Sequence, residues 1–231
     1  MTNIYENGTY LYNNSSWHEE DSPWKAKQIK KIIEKNSLDL KSICEIGCGA
    51  GEILNQLSGQ YSDEMELFGY EISPQAFAIC NKKSKANLSF KLSNLLDDPD
   101  AFFDMVMAID VFEHVENYFD FLRALKEKAV YKIFHIPLDL SVQTVLRSEP
   151  IIRGRKLVGH IHYFTKETAL ETLKDTGYEI IDYSYTAGLL ELPNLGWKAR
   201  LLKLPRKLAF SIHKDLTVRI LGGYSLLVLA K

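Results

Sequence analysis

Residues 43–54, ICEIGCGAGEIL, carry an apolar run into three closely spaced glycines, Gly47, Gly49 and Gly51, and from there straight into a helix-period pattern. Such a stretch reads as a buried strand, a tight turn and the first turn of a helix. Glycine takes left-handed backbone without penalty and lets a ligand come close to the main chain. The helix start offers unpaired N–H groups and the positive end of a dipole, so an anionic group is expected there. Two common phosphate binders do not fit the spacing. A G-x-G-x-x-G fingerprint needs glycine where the chain has Glu52, and no Gly-Lys-Ser/Thr follows to make a P-loop.

Short apolar runs then alternate with segments of helical period. Strands are expected over Ser42–Ile46, Glu66–Tyr70, Leu88–Leu92, Asp104–Ile109, Tyr131–Ile136, Glu179–Tyr185 and Tyr224–Ala230. Helices are expected over Trp24–Lys35, Gly51–Leu57, Pro74–Lys82, Tyr118–Lys128 and Lys166–Thr176, with start signals at Ser73-Pro74 and at Thr165. This alternation points to an α/β fold, a doubly wound, mostly parallel sheet with helices on both faces and an antiparallel edge where the last two strands lie. In such sheets ligands bind beyond the carboxyl ends of the strands, where strand order reverses.

The 231 residues, 46% hydrophobic and 25% charged, are enough for one sizeable core. Lys and Arg number 28 against 30 Asp and Glu, and the net charge of -2 gives no overall pull toward nucleic acid. Cys44, Cys48 and Cys80 form an odd set in apolar or Gly-rich surroundings, unlike a secreted disulfide framework. With no basic-then-apolar leader and no apolar run of about 18 residues, a cytoplasmic protein without a transmembrane segment is expected.

Further motifs follow in order. In LFGYEIS, Glu71 is the only acid after an apolar run, 26 residues beyond Glu45, and a carboxylate there can accept hydrogen bonds from both hydroxyls of a ribose. Asn94 lies in SNLL just past the third strand, and FDMVMAIDVFEHV brings a strand to Asp110. The series EIGCGAG, GYEIS, SNLL and FDMVMAIDVFEHV resembles the class I S-adenosylmethionine-dependent methyltransferases of small-molecule type, strongly over residues 40–138 and weakly in GHIHYFT, TGYEIIDY and GGYSLLVLAK.

The resemblance implies a Rossmann-like methyltransferase fold of seven strands and S-adenosylmethionine as cofactor, with S-adenosylhomocysteine as product. It gives Glu45, Gly47, Gly49 and Gly51 to the methionine part of the cofactor, Glu71 to the ribose, Ile72, Asn94 and Leu95 to the adenine, and Asp110, Val111 and His114 to the neighbourhood of the sulfur. It also implies one domain over 1–231, with an N-terminal lid and helix over 1–36, a cofactor-binding half over 40–138, and an acceptor-side half over 139–231 that carries an insertion at 187–223.

Methyl transfer from a sulfonium needs alignment and exclusion of water more than a base. For a hydroxyl acceptor, a neutral His is the natural proton acceptor, and His160 and His162 in GHIHYFT are the candidates, ahead of His18 and His135. In an extended segment both would face one side. Bracing of the loop is the competing reading for both. No Asp or Cys nearby in the sequence completes a ligand set with them, so no metal is expected.

Tyr5, Tyr10, Tyr12, Trp17, His18 and Trp24 suit an aromatic lid. The insertion holds Trp197, Lys198, Arg200, Lys203, Arg206, Lys207, Lys214 and Arg219 among leucines, against Glu191 and Asp215, and could meet an acidic acceptor, a membrane surface or another subunit. The expected partner is a small-molecule methyl acceptor, taking the methyl on O, N or C, and not nucleic acid. The alternatives are a non-catalytic S-adenosylmethionine-binding protein and a protein or RNA methyltransferase. An NAD-linked oxidoreductase is opposed by Glu52 and by the lack of a Tyr-x-x-x-Lys pair after the fourth strand.

Overall fold

A computed structural model of the chain describes Trp17, residues 19–192 and residues 197–231. Among them, seven strands form one sheet: β1 (Ser42–Ile46), β2 (Glu66–Glu71), β3 (Leu88–Leu92), β4 (Phe103–Ile109), β5 (Ala129–Pro137), β6 (Ile180–Thr186) and β7 (Ser225–Ala230). Their order is β3-β2-β1-β4-β5-β7-β6, so strand order reverses between β1 and β4. Neighbours from β3 to β5 pair in parallel, while β7 runs antiparallel to both β5 and β6.

The antiparallel element is therefore not the edge itself. β7 slots between β5 and β6, and composition explains why: its five residues Leu226–Ala230 are all buried, as suits a strand covered on both sides, whereas β6 alternates and exposes Ile181 and Tyr183.

The helices are α1 (Ser22–Lys35), α2 (Glu52–Ser58), α3 (Pro74–Cys80), α4 (Tyr118–Lys126), α5 (Val142–Arg147), α6 (Glu149–Leu157), α7 (Lys166–Asp175), α8 (Gly188–Glu191), α9 (Trp197–Ile212) and α10 (Lys214–Leu221). Side-chain caps set several starts. Ser73 accepts from Ala76 N before α3, Asn117 from Asp120 N before α4, and Ser141 and Thr165 form capping boxes with Thr144 and Thr168. α1 lays Ala26, Ile29, Ile32 and Ile33 on one sheet face with Leu54 and Leu57 of α2. α4 and α7 cover the other with Phe121, Leu122, Leu125, Ala169 and Leu173. Sequence periodicity missed α5 and α6, whose exposed Val142, Val145, Leu146 and Ile152 blur the apolar stripe.

Gly51 belongs to this framework. It stands left-handed (φ 73°) at the N-cap of α2, and a Cβ there would come within 2.7 Å of Phe90 and Cys80. Gly51→Ala should lower stability by about 2–5 kcal/mol, from the left-handed backbone and the overpacking together. This corresponds to a drop in Tm of roughly 4–20 °C by calorimetry. An unchanged Tm would mean that β3 gives way freely.

Candidate functional site

A cleft of about 1380 Å³ opens at the carboxyl ends of β1 and β4, at the reversal of strand order. One end is built on the glycine turn. Gly47 N and Cys48 N both donate to Tyr70 O at the end of β2 (2.8 and 3.1 Å), Gly49 N donates to Glu71 Oε2 (2.7 Å), and Gly51 N to Cys48 O (2.8 Å). The turn donors are therefore occupied within the protein, and the anion that meets the turn is Glu71. The expectation placed an anionic ligand at the helix start; the anion the structure brings to Gly49 N is Glu71. Glu71 Oε1 also accepts from Ser73 N (2.7 Å), and burial outweighs these bonds to hold its carboxyl above the ordinary range. Lys83 clamps the outer side, donating to Ala50 O (2.8 Å) and pairing with Glu52 (3.0 Å) and Glu19.

Glu45 lines the floor at 2% exposure, with one buried carboxylate oxygen lacking a partner among the described residues. Burial pushes it well above the usual carboxylate value, against the attraction of Lys25. Next to it, Asp110 follows β4 directly at φ 54°, an unusual backbone for a residue with a side chain. It accepts from Lys25 Nζ (2.7 Å) and from His135 Nδ1 (2.6 Å), and His135 Nε2 lies 2.8 Å from Thr186 Oγ1. Burial works against the Asp110 charge, but His135 and Lys25 outweigh it and hold the carboxyl far below its ordinary range. Lys25 is likewise raised, Asp110 overcoming the penalty of burial. Sequence reasoning did not find Lys25, and ranked His135 low. Helix period showed that Lys25 lies on α1, but not which strand end α1 crosses.

The other end is made where the turn Phe112–His114 meets residues 159–162. The carbonyl of Glu113 accepts from both Ile161 N (3.0 Å) and His162 N (3.1 Å), and His162 Nε2 donates to Val115 O (2.9 Å). His160 Nδ1 lies 2.6 Å from Asp139 Oδ2, and its ring packs edge-on to His114 at 4.9 Å. His160 and His162 thus share the cleft wall but not a role: Asp139 orients the first, while the second ties down the loop and packs on Tyr118 at 4.4 Å. Burial, followed by His160, lowers His114 to about 4, so it is neutral at pH 7.

Of the residues singled out in the sequence, Glu45, Gly47, Gly49, Glu71, Ile72, Asp110, Val111, His114, His160 and His162 line the cleft. Gly51, Asn94 and Leu95 do not. Gly51 packs under β3, Leu95 is fully buried in the core, and Asn94 caps the turn Leu95–Asp97 by accepting from Leu96 N. Trp17 and Trp24 line the cleft, while Tyr5, Tyr10, Tyr12 and His18 lie outside the described residues.

A family model described as a methyltransferase domain matches residues 17–183. Among solved structures, magnesium protoporphyrin IX methyltransferase from Synechocystis PCC 6803 with bound SAH (S-adenosylhomocysteine) aligns at 15% identity and TM-score 0.59, covering 90% of this chain and 82% of that one. The plantazolicin methyltransferase BamL, in complex with a triazolic desmethylPZN analog and SAH, aligns at 15% identity and TM-score 0.60, covering 97% and 89%. A methyltransferase in complex with the Haloferax volcanii Trm112 activator aligns at 14% identity and TM-score 0.62, covering 97% and 94%. At these identities the likeness is one of fold.

The protonation of Glu45 makes stability depend on pH. Its raised value means that the native chain keeps a proton that the unfolded chain releases above about pH 4.3. Stability at this residue therefore falls as pH rises from there toward the native value. Between about pH 5 and 7, Tm should fall more steeply for the parent chain than for Glu45→Gln. Parallel curves would show that Glu45 ionises freely in the fold.

Proposed function

Because this chain belongs to the methyltransferase-domain family and is an S-adenosylmethionine-dependent methyltransferase, we propose that it methylates a small, oxygen-bearing acceptor held at the His160 end of the cleft. One observation carries this reading: a single cleft joins a glycine turn, with two acids behind it, to an imidazole oriented by a carboxylate. The volume of about 1380 Å³ exceeds what one small ligand needs and accommodates cofactor and acceptor side by side.

The first end has the chemistry the cofactor requires. The unpartnered oxygen of Glu45 suits the ammonium of its amino-acid part. Each oxygen of Glu71 accepts one backbone N–H and keeps a lone pair for a ribose hydroxyl. Ile72, 48% exposed, offers an apolar side for the base. When bound, S-adenosylmethionine supplies the activated methyl group. Trp17 and Trp24 line the cleft where they help to exclude water. With Asp139 holding Nδ1–H, His160 keeps a lone pair on Nε2 to activate the acceptor, and His162 holds the loop in place. The small-molecule reading is supported by the ligands named for two of the structural neighbours, a porphyrin and a desmethylPZN analog.

The acceptor side also bears an amphipathic surface. α9 presents Leu204, Leu208 and Ile212, one per turn and each more than 60% exposed, α10 presents Leu216 and Ile220, and α5 and α6 present Val142, Val145, Leu146, Ile152 and Leu157. α10 packs against both α9 and α5, making the surface continuous, and Arg155 of α6 reaches the cleft. Exposed Arg147, Arg153, Arg155, Lys156, Lys207 and Lys214 stand on the same helices in a chain of net charge -2. Such a pattern complements an anionic bilayer, each cation near the surface contributing about 1 kcal/mol. We read it as the face on which the enzyme meets a lipid-held acceptor. Among the described residues no helix is long and apolar enough to cross a membrane.

Calorimetry with S-adenosylmethionine and S-adenosylhomocysteine should show binding of both, weakened about 10-fold to 150-fold in Glu71→Ala. His160→Ala should leave cofactor affinity intact and lower turnover about 10²-fold to 10⁴-fold. Loss of cofactor binding in His160→Ala would make His160 structural. Sedimentation with vesicles containing phosphatidylserine should capture the protein at low salt and release it near 1 M salt, where the Debye length shrinks to about 3 Å. Equal capture of the Leu204→Ser/Leu208→Ser/Ile212→Ser variant would remove the bilayer reading.

A further inference from the structure

We propose that Glu113, His114 and His160 form a divalent-cation site at the acceptor end of the cleft. A carboxylate oxygen and one ring nitrogen from each imidazole lie within 4.8 Å of one another, with His114 Nε2 3.8 Å from Glu113 Oε1. A tetrahedral zinc-type site, with bonds of about 2.0–2.1 Å, places its ligand atoms about 3.3 Å apart. The three side chains therefore need to close by about 1.5 Å at most, within reach of small torsional changes.

The independent observation is Glu113 itself. It is 0% exposed, and both of its carboxylate oxygens are buried without a hydrogen-bond partner among the described residues. A carboxyl in that position either keeps its proton or faces a cation, and the two imidazoles beside it complete a ligand set for the second. Glu113 is also held firmly, since its carbonyl receives both Ile161 N and His162 N. The same two bonds carry the loop bearing His160 up to it.

The surroundings supply what a metal ligand needs. Asp139 Oδ2, 2.6 Å from His160 Nδ1, fixes the tautomer with Nε2 as the basic nitrogen, the carboxylate–histidine pairing that orients metal-bound imidazoles. His114 and His160 line the cleft while Glu113 lies behind them, so coordination positions left open by three protein ligands face the acceptor. Two imidazoles and one carboxylate suit zinc and its first-row neighbours rather than calcium or magnesium, which favour all-oxygen sets.

This inference deepens the methyltransferase reading and rests on it for its purpose. With a cation bound, the Nε2 lone pair of His160 goes to the metal instead of to the acceptor proton, and the cation takes over activation by binding a hydroxyl of the acceptor and lowering its pKa, the proton passing to water in the open cleft. Acceptors with two adjacent oxygens, which chelate, are favoured. Glu113 lies 47 residues before His160 in the chain, beyond any spacing a local ligand motif covers.

The full-length protein, stripped with EDTA and freed of chelator, would be titrated with CoCl₂ and followed by its visible d–d absorption. One Co²⁺ per chain is expected, without the thiolate charge-transfer band that Cys44, Cys48 or Cys80 would give. Glu113→Gln should weaken binding at least 100-fold and Asp139→Asn by about 10-fold to 100-fold. Asp139 is the control for folding, because it lies partly exposed outside the ligand set. No stoichiometric Co²⁺ band, or equal affinity in the parent chain and both variants, would overturn the proposal. Calorimetry with S-adenosylhomocysteine on the stripped protein separates the two readings. Cofactor binding without Co²⁺ binding sinks only the cation, whereas Co²⁺ binding without cofactor binding sinks only the methyltransferase reading.

Discussion

The contact between the end of β2 and the turn that follows β1 is the constraint from which the site is built. Tyr70 O receives Gly47 N and Cys48 N, and Glu71 receives Gly49 N and Ser73 N, so one strand end holds the turn after its neighbour and the start of α3 together. Four N–H groups of the turn, Gly47, Cys48, Gly49 and Gly51, are thereby engaged within the protein, and the carboxylate of Glu71 stands against it in the cleft. A turn that is rich in glycine usually invites phosphate. Here part of the same backbone is held from inside by Tyr70 O and Glu71, and Glu45 and Glu71 line the cleft beside it.

A second theme is acidity kept out of water. Glu45 and Glu113 are buried with carboxylate oxygens that find no hydrogen-bond partner among the described residues, whereas Asp110 is engaged by Lys25 and His135. The desolvation that raises the first two is answered for the third by a cation from α1 and an imidazole from β5. Buried acids without partners are costly in a fold that needs them only for stability. Their places divide the cleft into an end that suits an ammonium and a ribose and an end suited to an activated acceptor.

The amphipathic surface of α5, α6, α9 and α10 gives the acceptor end a direction. Some of its cations are committed within the fold: Arg206 caps the carbonyls of Leu221 and Gly222 and stacks on Tyr224, and Arg219 pairs with Glu167 at 2.6 Å. The exposed Arg147, Arg153, Arg155, Lys156, Lys207 and Lys214 stand on the same helices as the exposed apolar residues.

The strands of the cofactor half were legible in the sequence because their apolar runs are long and bounded by turns. Ser42–Ile46 and Leu88–Leu92 match to the residue, and the start of α3 follows from Ser73 and Pro74. The glycine turn and Glu71 were legible as local pattern, since local backbone needs local residue types. The place of β7 inside the sheet, the pairing of Lys25 with Asp110, and the meeting of Glu113 and His114 with His160 were not. Each joins residues 39 or more positions apart, and no periodicity encodes which strand end a helix crosses or which loop a turn receives. By itself the sequence determined the elements and the kind of turn, because hydrophobic period and glycine conformations act over a few residues. Only the tertiary structure decided which charges are buried together and which of the two histidines is left to act, because hydrogen bonds and desolvation are settled by packing in space.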